Sequence, residues 1–155
     1  MDWFIVALGS NRPGSWGNPE QAVRRAIGLL YPATVSRILP SRPIGPSRRS
    51  FVNAVAIVES DLPPPAFLDY LKALEHDAGR RPGQRWSARP LDLDIIGWSG
   101  GMWASPGLSI PHPEFRRRRF VLAPLAGIAP DWRDPMTHLT VRQTLARLDR
   151  KRPRS

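Results

Sequence analysis

RWSARPLDLDI, residues 85–95, sets two carboxylates one residue apart inside an apolar run. Side chains of an extended chain alternate faces, so Asp92 and Asp94 share one face while Leu91, Leu93 and Ile95 share the other. The stretch therefore predicts a strand with a core side and an acidic side. Adjacent carboxylates at a partly buried site repel unless a cation compensates them, and ligands that are all oxygen suit Mg²⁺. Just upstream, Arg85, Trp86 and Arg89 offer two guanidinium forks and a flat indole, groups suited to phosphate and to a ring. Metal, phosphate and ring together point to a nucleotide. The plain alternative is an amphipathic strand with two solvated acids behind a basic turn.

Upstream of this stretch, residues 3–8 (WFIVAL) are apolar on both faces and predict a central strand. A turn-rich loop, 9–17, follows. Its Gly9 and Gly14 have P-loop spacing, but Ser15 and Trp16 stand where Lys and Ser/Thr are required, so a Walker A site is excluded. Asn18 and Pro19 predict the cap and first position of a helix with the stripe Ala22, Val23, Ala26, Ile27 and Leu30, stopped by Pro32. Residues 33–39 predict a second strand ended by Pro40, and 41–50 a long irregular loop. Residues 51–59 predict a third strand, apolar on both faces except for Asn53. That amide must find partners, backbone or heterocycle, or cost about 1–3 kcal/mol. Pro64 fits the first turn of a second helix carrying Phe67, Leu68, Leu71, Leu74 and Ala78, with Gly79 as its stop and no side-chain cap at Pro63. Glu75 lies near the end of that helix, where the macrodipole disfavours an acid. It is either a solvated surface group or one with a functional partner.

Downstream of the second helix, the loop RRPGQ, 80–84, is basic and is expected to be mobile. The acidic strand is expected to run to about Trp98, SGG at 99–101 to turn, and 102–110 to form a short edge hairpin. Pro111, His112 and Pro113 fix a bend in which a lone histidine is more often structural than catalytic. From Phe120 a short helix turns Val121, Leu122 and Leu125 inward, with Pro124 limiting its first turn. Thr140 and Gln143 predict the capping box of a last helix that buries Val141, Leu145 and Leu148. The expected class is α+β: a ferredoxin-like βαββαβ antiparallel sheet with helices packed on it and a C-terminal helical extension.

At 155 residues one domain suffices, expected over 1–149, with a basic disordered tail at 150–155. Cysteine is absent, which removes disulfides and thiolate chemistry and agrees with a reducing cytosol. No basic leader precedes the first strand and no apolar run approaches the ~20 residues of a membrane span, so a cytoplasmic protein with no membrane partner is expected. The net charge of +10 sits mostly in Arg116–Arg119 and in 147–155. A basic tail favours solubility and weak attraction to polyanions; specific nucleic-acid binding needs more than that.

The string RW-x-x-R-x-LDLDI resembles the signature of the 6-hydroxymethyl-7,8-dihydropterin pyrophosphokinase family, whose usual form reads RWGPRTLDLDI. The family's other motifs appear in order: GSN at 9–11, FVNAV at 51–55, and PHPEFRRRRFVLAPLAGIAPDW at 111–132. The resemblance covers nearly the whole chain. It implies transfer of pyrophosphate from ATP to 6-hydroxymethyl-7,8-dihydropterin in folate biosynthesis, with AMP released and two Mg²⁺ ions used. Carried over by position, Asp92 and Asp94 are implied as ligands of both ions, and Arg89 and Arg80 as catalytic. Glu75, Arg81, Trp86, Ile95, Ser109, His112 and Arg118 are implied around ATP. Ser41, Ile44, Phe51, Asn53, Trp86 and Phe120 are implied around the pterin, with the two phenylalanines sandwiching the ring.

Departures from the family pattern occur at Lys72, Ser87, Ala88, Pro90, Gly107 and Pro113, and they bear on nucleotide affinity more than on the reaction. The expected partners are ATP and the dihydropterin, with no specific nucleic acid, and the expected state is a monomer. Two alternatives stay open: a basic ferredoxin-like RNA-binding module, and a relative without activity. The module lacks an RNP-type aromatic pair and would set Asp92 and Asp94 against phosphate.

Overall fold

A computed structural model describes residues 1–41, 51–79 and 89–151. In chain order the elements are β1 (Asp2–Ser10), α1 (Pro19–Leu30), β2 (Thr34–Val35), β3 (Leu39–Ser41), β4 (Phe51–Ser60), α2 (Pro64–Asp77), β5 (Asp92–Trp98), β6 (Trp103–Ser105), β7 (Leu108–Ile110), a 3₁₀ turn (Phe115–Arg117), α3 (Arg119–Ile128) and α4 (Val141–Arg150). The main sheet is antiparallel in the order β2-β4-β1-β5, and β3 also pairs with β4. A mixed helix and antiparallel-sheet architecture of the α+β class results.

The run apolar on both faces is a central strand because the sheet is covered on both sides. Phe4, Val6 and Leu8 of β1, with Ala54, Ala56 and Val58 of β4, pack against Val23, Ala26 and Leu30 of α1 and Phe67, Leu71 and Leu74 of α2. Phe4 and Phe67 stack with ring centroids 4.1 Å apart and planes 6° from parallel. On the other face Ile5, Val55 and Ile96 meet Val121, Leu122 and Leu125 of α3 and Val141 of α4. Two cores therefore share one sheet.

Local signals set the helix ends. Asn18 Oδ1 accepts from the Gln21 N–H while the Asn18 N–H donates to Gln21 Oε1, both at 2.9 Å. Thr140 and Gln143 repeat this reciprocal cap at α4, and each such cap is worth about 1 kcal/mol. Pro63 precedes α2 with no side-chain cap, as its residue type demands. Gly79, at φ 111°, takes the left-handed turn just past that helix.

Three expectations change. The single strand expected over 33–39 is two short pieces, and Pro40 lies inside the second instead of ending the first. Pro40 is tolerated because, among the described residues, β3 pairs on one side only, and a missing donor is harmless at a sheet edge. Between the pieces Ser36 substitutes for strand pairing: its Oγ accepts from the Val55 N–H at 2.9 Å and its N–H donates to Val55 O at 2.8 Å. The hairpin of β6 and β7 is a two-stranded sheet of its own, held by Leu108 and Ile110 in the first core and by an edge-on contact of Trp98 with Trp103. Finally, α3 runs through Pro124, which is buried in mid-helix. The apolar contacts of α3 with the sheet outweigh the hydrogen bond that Pro124 cannot donate. Of the loop expected at 41–50, Ser41 instead ends β3, and of the tail expected at 150–155, Arg150 ends α4; the remainder of that loop, the loop expected at 80–84 and residues 152–155 lie outside the described residues. Among the described residues no helix is long and apolar enough to cross a membrane.

Candidate active site

Strand register builds the acidic face. Gly9 lies opposite Asn53 on one side and Asp92 on the other, and Ala7 lies opposite Val55 and Asp94. Residues opposite one another across strands point the same way, so Asn53, Asp92 and Asp94 share a sheet face, joined by Phe51 two positions before Asn53. The middle of this face has almost no side chains: a Cβ on Gly9 would lie 3.0 Å from Asn53 Oδ1. The bare backbone of Gly9 therefore separates the Asn53 amide from Asp92, and only the small Ala7 lies beside Asp94. Leu91, Leu93 and Ile95 fill the opposite core, as the alternation predicts. Ile95 thus turns its side chain away from the acids.

Both acids are half-buried and have basic partners. Arg89 Nη1 donates to Asp92 Oδ1 at 3.0 Å, and Arg118 Nη1 lies 3.8 Å from Asp94 Oδ2. The backbone of Arg89 is clamped by Asn11, whose Oδ1 accepts from the Arg89 N–H at 2.7 Å and whose N–H donates to Arg89 O at 3.1 Å. Asn11 is 2% exposed. The GSN motif at the end of β1 therefore holds the arginine that enters the acidic strand.

Glu75 explains its awkward place near the end of α2. It is buried, and its Oε2 accepts from the N–H of Leu93, the residue between the two acids, at 2.7 Å. Among the described residues β5 is an edge strand, and this carboxylate satisfies one of its outward donors. Glu75→Ala should strand that N–H and lower stability by about 1–3 kcal/mol. Thermal unfolding of the variant checks this, and an unchanged melting temperature would refute the assignment.

The bend after β7 brings the remaining groups together. The His112 N–H donates to Ile96 O at 3.0 Å, which anchors the bend to β5. The Glu114 N–H donates to His112 Nδ1 at 3.1 Å, so the neutral ring carries its proton on Nε2. Burial and the Arg118 charge hold His112 below its ordinary pKa, outweighing Asp92 and Glu114, which act the other way. The imidazole is neutral near pH 7.

The four arginines that follow are not a uniform basic patch. Arg116 forks onto Asp134, Arg117 lies 3.6 Å from Glu114, Arg118 faces Asp94, and Arg119 donates to Asp149 at 3.0 Å. Phe120 is half-buried beside Arg118, whose guanidinium carbon lies 5.8 Å from the ring centroid. Ser109 is exposed on β7. Ser41 is described through its backbone, which pairs with Phe51. Ile44, Arg80, Arg81, Arg85 and Trp86 lie outside the described residues.

Asn11, Gly9 and Asp134 are the residues that sequence reading left without a role. A polar residue directly after an apolar central strand was the signal for Asn11; Asp134 had none. Among the described residues no three acidic, histidine or cysteine side chains converge as a complete metal cage. Mg²⁺ needs none, because it keeps several waters and takes one or two carboxylates plus substrate phosphates. Two carboxylates on one face of one strand fit that pattern.

A family model for 7,8-dihydro-6-hydroxymethylpterin-pyrophosphokinase matches residues 5–130. The 2-amino-4-hydroxy-6-hydroxymethyldihydropteridine pyrophosphokinase of Synechocystis sp. is 39% identical over 148 residues, covering 94% of this chain and 75% of the relative. That of Pseudomonas aeruginosa is 39% identical over 137 residues, 84% and 82% of the two chains. That of Haemophilus influenzae is 35% identical over 133 residues, 81% of each. The matched span runs from β1 through the end of α3 and contains every element that builds the acidic face, so the chain belongs to the 7,8-dihydro-6-hydroxymethylpterin-pyrophosphokinase family.

Proposed function

We infer that the protein is a 2-amino-4-hydroxy-6-hydroxymethyldihydropteridine pyrophosphokinase of folate biosynthesis. It transfers pyrophosphate from ATP to 6-hydroxymethyl-7,8-dihydropterin and releases AMP. The row Asn53–Gly9–Asp92, with Asp94 one step along the sheet, carries this reading. It sets an amide that can read a heterocycle beside two carboxylates, over a floor of only Gly9 and the small Ala7.

Asp92 and Asp94 would hold two Mg²⁺ ions, which neutralise phosphate charge and orient the oxygens around the phosphorus attacked. The chain's own residues supply the rest. Arg89 and Arg118, now on the acids, are free to turn to phosphate oxygens once cations take their place, and their planar forks suit that contact. Arg80, Arg81 and neutral His112 complete the triphosphate contacts, with the His112 Nε2–H as donor. Glu75 serves ATP by fixing the Leu93 backbone between the acids; Trp86, Ser109 and the backbone of Ile95 line the nucleotide. Phe51 and Phe120 flank the pterin, Asn53 bonds its amide edge, and Ser41, Ile44 and Trp86 close that side. Both substrates then lie on one face of one chain, so a monomer suffices, and a cytoplasmic monomer is the state we propose. With β2 and β3 counted as one interrupted strand, the sheet reads as a ferredoxin-like βαββαβ unit, and the segment from Phe115 through α4 is its C-terminal extension.

The nucleotide product tests the reaction. A kinase that moves the γ-phosphoryl group leaves ADP, whereas attack at the β-phosphorus leaves AMP. Incubation with ATP, Mg²⁺ and 6-hydroxymethyl-7,8-dihydropterin should give AMP and the pterin diphosphate in equal amounts, read by chromatography of the quenched mixture. ADP as the main product would overturn the reading.

A further inference from the structure

Residues 116–119 are four identical side chains in a row, and each meets a different acid. Nothing in their chemistry says which should face Asp94. A slip of one position would bring Arg117 or Arg119 there instead. Three of the four pairs are weak registers: Arg117 is 80% exposed, Arg118 stands 3.8 Å from its acid, and Arg119 and Asp149 are 45% and 41% exposed. The fourth is different. Asp134 is 2% exposed and takes a two-pronged contact from Arg116, through Nε and through Nη2 at 2.9 Å.

Asp134 is bonded through its side chain and its backbone. Its Oδ1 also accepts from the Met136 N–H at 2.9 Å, its own N–H donates to Leu139 O at 2.9 Å, and its carbonyl accepts from the His138 N–H at 2.8 Å. The Arg116 guanidinium lies 4.8 Å over the ring of buried Phe115, which packs on Trp132 at 6.1 Å. Burial alone would raise the Asp134 carboxyl, but the bonds from Arg116, Met136 and Thr137 outweigh it and hold the group below the ordinary range. A slip that brought Arg117 to Asp94 would set Phe115 against Asp134 and leave this carboxylate buried and unpaired, whereas a slip that brought Arg119 there would keep an arginine on Asp134 but push the Arg116 charge into the place of buried Phe115; both are strongly unfavourable, and a buried ion pair can set register in that way.

We propose that Asp134 is a positioning residue for the transfer reaction: by holding Arg116 it fixes the phase of the arginine run and so delivers Arg118 to Asp94 and the triphosphate. This rests on the reading that Arg118 serves ATP, and the two can be tested apart. Steady-state kinetics would compare the wild type, Arg118→Ala, Asp134→Asn, Arg116→Lys and the double variant Asp134→Asn/Arg118→Ala. Asp134→Asn should lower kcat/KM for ATP roughly ten- to a hundredfold, the scale of a misplaced contact. The loss should include a raised KM for ATP, with KM for the pterin changed less than about twofold. Arg116→Lys, which keeps the charge, should retain more activity than Asp134→Asn. In the Arg118→Ala background Asp134→Asn should cost less than about twofold, because the group it positions is gone.

Equal losses in both backgrounds, or a lower kcat with unchanged KM for ATP, would show a purely structural role and overturn the proposal. No effect of Arg118→Ala by itself would remove the role of Arg118 in ATP binding, and the proposal with it, while leaving the AMP product test untouched. If Asp134→Asn does not accumulate as folded protein, Arg116→Gln goes through the same cycle under the same criteria.

Discussion

Asp92→Asn or Asp94→Asn should each lower pterin-dependent AMP formation by roughly two to three orders of magnitude, the scale seen when a preorganised charge is removed from a transition state. An amide keeps the size and shape of the carboxylate but gives up the charge that would hold a divalent cation. The fold should survive. Asp92 is half-buried, and its partner Arg89 is about a third exposed and reaches solvent, so losing that pair costs roughly 0–1 kcal/mol. Asp94 and Arg118 are similarly exposed at longer range. Turnover at saturating Mg²⁺, measured beside circular dichroism and the melting temperature, separates the two effects. Either variant turning over at the wild-type rate would end the assignment of the pair to metal and phosphate.

Phe67→Ala should act on stability by a comparable free energy, about 3–5 kcal/mol, because it opens a cavity where no neighbour can close it. Phe67 is 1% exposed and lies face to face with Phe4 beneath the centre of the sheet. Phe4 belongs to β1, which pairs with both β4 and β5, so the stack supports the strand on which the whole acidic face is assembled. Against a total stability of about 5–15 kcal/mol this loss leaves a marginal protein. Urea unfolding should show a lower midpoint with an unchanged slope. A shift equivalent to less than about 1 kcal/mol would mean that the helix repacks onto the strand.

The periodic signals carried much of the architecture. Alternation alone put Asp92 and Asp94 on one face and Leu91, Leu93 and Ile95 on the other, because side-chain direction in a strand follows from backbone geometry. Asn18 with Pro19 and Thr140 with Gln143 marked two helix starts, because a cap is a contact between residues three apart. What local spacing cannot contain is pairing across the chain. That Asn53 and Asp92 flank Gly9 is a matter of register between strands distant in sequence. That Glu75 bonds Leu93, or that Asn11 clamps Arg89, depends on where a helix end and a loop settle against the sheet edge. Pro40 was misread for the same reason: whether a strand tolerates a missing donor depends on its being at an edge, which only the assembled sheet decides.

The sequence by itself determined the family, through RW-x-x-R-x-LDLDI and the motifs around it, and the presence of a paired-acid strand, because those are properties of short segments. The resemblance singled out Arg118 by its place in the motif, but only the tertiary structure supplies the physical reason that it, of four arginines, reaches Asp94. Four identical side chains are indistinguishable to any local rule, and their difference arises from the acids that folding brings opposite each one: Asp134 buried, Glu114 and Asp149 at the surface, and Asp94 on the sheet face.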